Sequence, residues 1–77
     1  MELNRIDEPI VIIFTPREQE VLQCLVNGKF DQEIADELRI CLKTVSYHCG
    51  NIYRKLNVSC RNEAANWALL NGFMPTA

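Results

Sequence analysis

Apolar positions recur at helical spacing along most of this chain, and the breaks between them fall at residues that start or stop helices. The first apolar run, Ile10–Phe14, is rich in β-branched residues and reads as an extended arm, packed along the domain or against a partner. Thr15-Pro16-Arg17-Glu18 then has the form of a capping box, with proline in the first helical turn. The helix it opens runs to about Asn27 and buries Val21, Leu22, Leu25 and Val26, and Gly28 supplies a left-handed stop. A short second helix is predicted from about Gln32 to Leu38, capped by Asp31. Ile34, Ala35 and Leu38 face inward on it, with Asp36 and Glu37 facing out. The tight Arg39-Ile40-Cys41 connection leads to a third helix from Leu42 to about Leu56. A fourth begins after Ser59 and stops near Asn71-Gly72, before Pro75. The pattern therefore predicts an all-α domain of four helices over residues 14–74. It is preceded by a short extended N-terminal arm, residues 1–13, partly disordered at its polar start.

The third helix has two unlike faces. At 100° per residue Val45, Cys49, Ile52 and Leu56 fall within about 60° of one another and form a buried stripe. Lys43, Tyr47, Gly50 and Arg54 lie opposite, with Ser46 and Asn51 beside them and Tyr53 and Lys55 flanking the stripe. This outer ridge carries cations, small polar groups and an aromatic hydroxyl, and no acid. Arg and Lys can neutralise phosphates or pair with guanine edges, while Ser, Asn and Tyr can bond phosphate or base. Gly50 costs about 0.5–1 kcal/mol in a helix interior relative to alanine. Its presence reads either as room for close approach to DNA or as a tolerated cost. A short helix, a tight turn and a longer helix with a basic outer ridge is the geometry of a helix-turn-helix, here over about residues 31–56. In that geometry the acids of the second helix, Glu33, Asp36 and Glu37, must be angled away from phosphate.

Charge sharpens this picture. The chain has a formal net charge of −2, yet between Glu37 and Glu63 it carries Arg39, Lys43, Arg54, Lys55 and Arg61 and no acid. A positive face on an acidic protein is the electrostatic footprint of a nucleic-acid binder. At 77 residues there is room for one small domain with a compact core. The apolar run at Ile10–Phe14 is too short to span a bilayer and lacks the flanks of a signal peptide, so a cytoplasmic protein without membrane association is expected. Cys24, Cys41, Cys49 and Cys60 include no C-x-x-C pair and are accompanied only by His48, which excludes zinc-ligand spacing. Cys24 and Cys49 fall at apolar helical positions and read as small hydrophobes. Neither metal nor cofactor is expected. Without paired inward carboxylates or a glycine-rich phosphate loop, nothing supports catalysis.

Many of these residues recur at the spacing of one family. Thr15-Pro16-Arg17-Glu18, Glu20-Val21-Leu22, Gly28, Glu33-Ile34-Ala35, Leu38, Ile40, Thr44-Val45, His48, Ile52, Lys55-Leu56, Val58, Arg61, Glu63-Ala64, Ala68 and Gly72 together closely resemble the LuxR/GerE-type (NarL-like) DNA-binding domain of bacterial transcription regulators. The resemblance spans about Phe14 to Phe73. It implies a four-helix domain that binds double-stranded DNA, with the third helix in the major groove and the fourth often contributing to a homodimer. It also implies phosphate-contact or helix-positioning roles for Thr44, His48 and Lys55, and structural roles for Arg61 and Glu63. The expected DNA-binding set is then Lys43, Thr44, Ser46, Tyr47, His48, Gly50, Asn51, Arg54 and Lys55. The chain departs from the family at Ser46, where a cation is usual, and at Phe30 and Cys41, where Ser or Thr usually caps the second and third helices. Asp31 can rescue the first cap, while the second has no evident substitute.

The fourth helix holds more apolar residues than one buried face needs. Ala64, Ala65 and Ala68 point inward, which leaves Trp67 on the flank, Leu70 nearly opposite, and Phe73 and Met74 beyond. Trp67, Leu70 and Met74 are the candidate dimer interface, unless Trp67 folds back as core. The leading expectation is a small transcription regulator. Met1 and the non-motif residues 2–13 favour a complete, naturally short chain over an excised fragment. The main alternative is a protein-interaction module that binds another regulator or RNA polymerase, favoured by the acidic first half and by Ser46. Region 4 of a sigma factor shares the central helices, but Arg61-x-Glu63-Ala64 and the lack of a long basic C-terminal extension argue against it.

Overall fold

The computed structural model describes residues 12–76. Four helices follow in order: α1 (Pro16–Val26), α2 (Asp31–Leu38), α3 (Leu42–Leu56) and α4 (Arg61–Leu70). Among the described residues there is no strand. Helices α1, α3 and α4 pack on one another, and α2 closes over α3. The core between them is Val21, Leu22, Cys24 and Leu25, Ile34 and Ala35, Val45, Cys49, Ile52 and Leu56, and Ala64 and Ala68. Val26 and Leu38, expected inside, lie at its margin, half-buried. Cys24 and Cys49 are core filler, and burial pushes both thiols above their ordinary pKa. All four cysteines are free thiols.

Helix α1 opens as its sequence dictates. Thr15 Oγ1 accepts from the Glu18 N–H at 3.1 Å, and the Glu18 carboxylate accepts from the Thr15 N–H at 3.0 Å, both halves of a capping box. Helix α2 opens one residue earlier than expected. Phe30 is its N-cap and Asp31 its first residue, so Asp31 does not cap it. Phenylalanine has no acceptor to offer, but Glu33 reaches back to the Phe30 N–H at 2.7 Å, and Asp31 is spent on Arg61 instead. Helix α4 starts after Cys60, and Glu63 accepts from the Ser59 N–H at 2.7 Å.

All four helices stop by the same device. A left-handed residue follows the last turn at Gly28, Arg39, Asn57 and Gly72, and the next N–H returns to a carbonyl five residues back. These returns are Lys29 to Cys24, Ile40 to Ala35, Val58 to Tyr53 and Phe73 to Ala68. Such closures commonly bring an apolar side chain onto the helix they end. Ile40, Val58 and Phe73 do so, each half-buried against the core. Phe73 therefore belongs to the core margin and not to the exposed apolar patch. Beyond it the chain runs back along α1, where Gln23 Nε2 donates to the Met74 carbonyl at 2.7 Å. Asn27 exchanges hydrogen bonds with Thr76.

The expected arm over Ile10–Phe14 is described only from Ile12. Ile12 and Phe14 pack on the core and Ile13 points out, 75% exposed. The remainder of that expectation lies outside the described residues.

Candidate nucleic-acid interface

Residues 31–56 are two helices joined by Arg39-Ile40-Cys41. Arg39, at φ 59°, turns the chain through the left-handed region, and Ile40 packs inward before α3 begins. The buried stripe of α3 is Val45, Cys49, Ile52 and Leu56, as its periodicity dictates. Its opposite ridge therefore faces solvent. Lys43, Ser46, Tyr47 and Arg54 are exposed, and Gly50 and Asn51 partly so. The first turn of α3 contains no acid, and Arg54 and Lys55 in its last turn complement the negative end of the helix dipole.

The five cations of this half divide into two groups. Arg61 donates to the Lys29 carbonyl at 2.6 Å and to Asp31, tying α4 to the α1–α2 turn. Lys55 Nζ meets Glu18 at 2.5 Å and the Ile13 carbonyl at 2.9 Å, and sits 5.7 Å from the centre of the Phe14 ring. These two hold the body together. Arg39, Lys43 and Arg54 are exposed, with no acid at ion-pair distance among the described residues. The acids of α2 are occupied in turn: Glu33 with the Phe30 N–H, Asp36 with Gln32, and Glu37 with Lys29 at 2.9 Å.

The remaining residues of the expected set occupy the flanks of the ridge. Thr44 and His48 are half-buried. The Thr44 hydroxyl lies 3.2 Å from Cys41 Sγ, and the His48 ring stands edge-on to Tyr47 with centroids 5.5 Å apart. His48 Nδ1 is buried without a hydrogen-bond partner among the described residues. Tyr53, on the other flank, is pushed to about 12, by burial first and by Cys49 next, and so acts only as a neutral phenol. Residue Glu18 was missed as a member of this neighbourhood. A signal for it existed, because on the α1 wheel it falls between Leu22 and Leu25, inside the apolar stripe.

Cys41 caps α3 without a side-chain bond to the backbone. It is exposed, and its thiol is held below the ordinary value, first by the Thr44 hydroxyl and then by the N–H groups of Thr44 and Lys43. A hydroxyl there would accept one of those N–H groups outright. Cys41→Ser is therefore expected to raise stability by about 0.5–1 kcal/mol, read as a higher Tm. A lower Tm would mean that the sulfur is packed.

A helix-turn-helix whose second helix offers a cationic, acid-free ridge defines a DNA-binding domain. Residues 13–68 match the family model described as bacterial regulatory proteins, luxR family, and the chain belongs to that family, as a LuxR-type DNA-binding domain of transcription regulators. The transcriptional regulatory protein LiaR of Bacillus subtilis is 47% identical over 57 residues, covering 74% of this chain and 27% of LiaR. The spore germination protein GerE of the same organism is 46% identical over 52 residues, 68% of this chain and 70% of GerE. Among solved structures, the Vibrio cholerae VqmA dimer superposes with a TM-score of 0.78 at 33% identity, over 82% of this chain and 28% of that one. The ComA DNA-binding domain, in complex with the anti-activator RapF, superposes at 0.71 and 40% identity, over 74% of this chain and 98% of that one. The chain thus spans only about a quarter of the length of a relative such as LiaR. No helix among the described residues is long and apolar enough to cross a membrane.

Proposed function

We propose that the chain regulates transcription in the cytoplasm by binding specific sites on double-stranded DNA, with α3 in the major groove. The observation that carries this reading is the outer ridge of α3, where Lys43, Tyr47 and Arg54 are exposed and no acid lies beside them. Lys43, Thr44, Ser46, Tyr47, His48, Gly50, Asn51 and Arg54 form the contact surface. Lys55 serves it indirectly, by locking α3 to α1 through Glu18. A homodimer through α4 is part of the proposal. Leu70 and Met74 are 78% and 69% exposed beside Leu69, and the VqmA structure is described as a dimer.

The test is fluorescence anisotropy with a short duplex across a salt series. Each phosphate contact contributes about 0.9 to the slope of log affinity against log salt. The wild type is expected to bind with a salt slope that the Lys43→Ala/Arg54→Ala double variant flattens by up to about two units, with most of the affinity lost. Equal affinity and slope for both proteins would refute α3 as the reader.

A second reading draws on a different surface. A groove of about 550 Å³ runs along α1 and α2, lined by Gln19, Glu20, Gln23, Glu37 and Phe73 among others, and the ComA domain in its complex is held by a protein. Binding of another regulator or of RNA polymerase would use this acidic side and leave the α3 ridge free.

A further inference from the structure

Arg54 stands one turn beyond Gly50, and its guanidinium lies back over that glycine. Arg54 Nη1 is 3.7 Å from the point where a Cβ on residue 50 would stand, and no other group is near that point. Helical side chains lean toward the N-terminus of their helix, so a long residue at i+4 covers the surface above residue i. A side chain longer than alanine at position 50 would compete for that space. Asn51 completes the arrangement, its Oδ1 accepting from Arg54 Nη2. Because a guanidinium has donors only, the amide oxygen must be the atom that faces it.

This geometry decides which base edge the ridge suits. An asparagine reads adenine by accepting from N6 and donating to N7, and it needs its oxygen to do so. With that oxygen turned toward Arg54, the groups the pair presents outward are chiefly N–H donors. Guanine offers two adjacent acceptors, N7 and O6, which match a donor fork. A residue no longer than alanine at position 50 also lets the guanidinium fold toward the N-terminal half of α3, the half that meets base edges in helix-turn-helix complexes. Held by Asn51, the fork forfeits less freedom on binding than a loose arginine would.

We propose that Arg54 reads a guanine edge in the major groove, and that Gly50 and Asn51 are the residues that position it. The inference rests on the DNA-binding function above and adds the base it selects. A mere phosphate contact by Arg54 would be blind to sequence, and that difference is measurable.

Sites would be selected from a random duplex pool with the full chain, and affinities then measured after swapping each base pair. Thermal melts would establish that each variant is folded. The wild type is expected to lose about ten- to a hundredfold in affinity when one particular G·C pair becomes A·T. Arg54→Gln removes the discrimination at that pair and leaves the other pairs as they were. Gly50→Ala, whose methyl makes an ordinary contact, keeps the preference, whereas Gly50→Leu and Asn51→Ala weaken it. If Arg54→Gln lowers affinity by one common factor on every sequence and reduces the salt slope by about one, Arg54 is a phosphate contact and the inference is overturned. Absence of binding to any duplex at low salt would instead overturn the DNA-binding function itself, and the inference with it.

Discussion

Replacing Glu18 by glutamine is expected to lower stability at neutral pH by about 1–2 kcal/mol, or roughly 5–10 °C in Tm. Glutamine can keep the return hydrogen bond to the Thr15 N–H, so the substitution isolates the loss of charge beneath Lys55. Glu18 is 4% exposed and Lys55 more open, which places the cost below that of breaking a fully buried ion pair. Burial by itself would raise the Glu18 pKa. The Lys55 ammonium and the Thr15 N–H outweigh it and hold the carboxyl below its ordinary 4.5. A carboxylate depressed by folding contributes stability that is fully present above the ordinary value and is lost as pH falls through the folded one. The wild type and Glu18→Gln should therefore differ at pH 7 and converge in acid. A gap that persisted unchanged to low pH would mean that the pair contributes nothing through charge.

The second large effect separates two readings of α4. Trp67 meets Phe14 edge-to-face with ring centroids 6.0 Å apart and packs half-buried on the core. Trp67→Ala should cost about 2 kcal/mol, near 10 °C in Tm, less than a fully buried tryptophan would. Leu70 projects into solvent one turn away, so Leu70→Gln should leave the stability of the monomer within about 0.5 kcal/mol. Sedimentation then tests the dimer: loss of self-association in Leu70→Gln with an unchanged melt of the monomer would place the interface there. If instead Trp67→Ala leaves Tm unchanged but abolishes self-association, the tryptophan is an interface residue and not core.

The helices were legible where local start and stop signals or a clean periodicity marked them. The Thr15–Glu18 box, Gly28, the i, i+4 stripe of α3 and Gly72 are local signals, and the structure places them where they were read. The start of α2 was misread because a side-chain cap was sought at Asp31, while Arg61, thirty residues away, holds that carboxylate and Glu33 does the capping. The same limit governed the candidate interface. Helical periodicity fixed which residues of α3 face outward. It could not reveal that Lys55 and Arg61 are bound to acids of other helices, because those pairings exist only once the helices have packed. Nor could it show that the Arg54 guanidinium lies over Gly50, a placement that only the folded side chain reveals.

The division of the cations has a consequence for how the molecule meets a polyanion. With Lys55 and Arg61 paired to acids of other helices, Arg39, Lys43 and Arg54 are left as exposed cations without an ion pair among the described residues, on a chain whose net charge is −2. Monopole and dipole then pull in opposite senses, and solvent ions decide which is felt. At physiological ionic strength the screening length is about 8 Å, so an approaching phosphate senses only the nearest face. At 10 mM it is about 30 Å, and the whole net charge is felt, a −2 contributed by the charged residues of 1–11 because residues 12–76 carry seven acids and seven bases. Dilute buffer, which speeds the capture of DNA by most basic proteins, should give this one little advantage in rate. Its arrival at a site depends less on long-range attraction than on presenting the correct end.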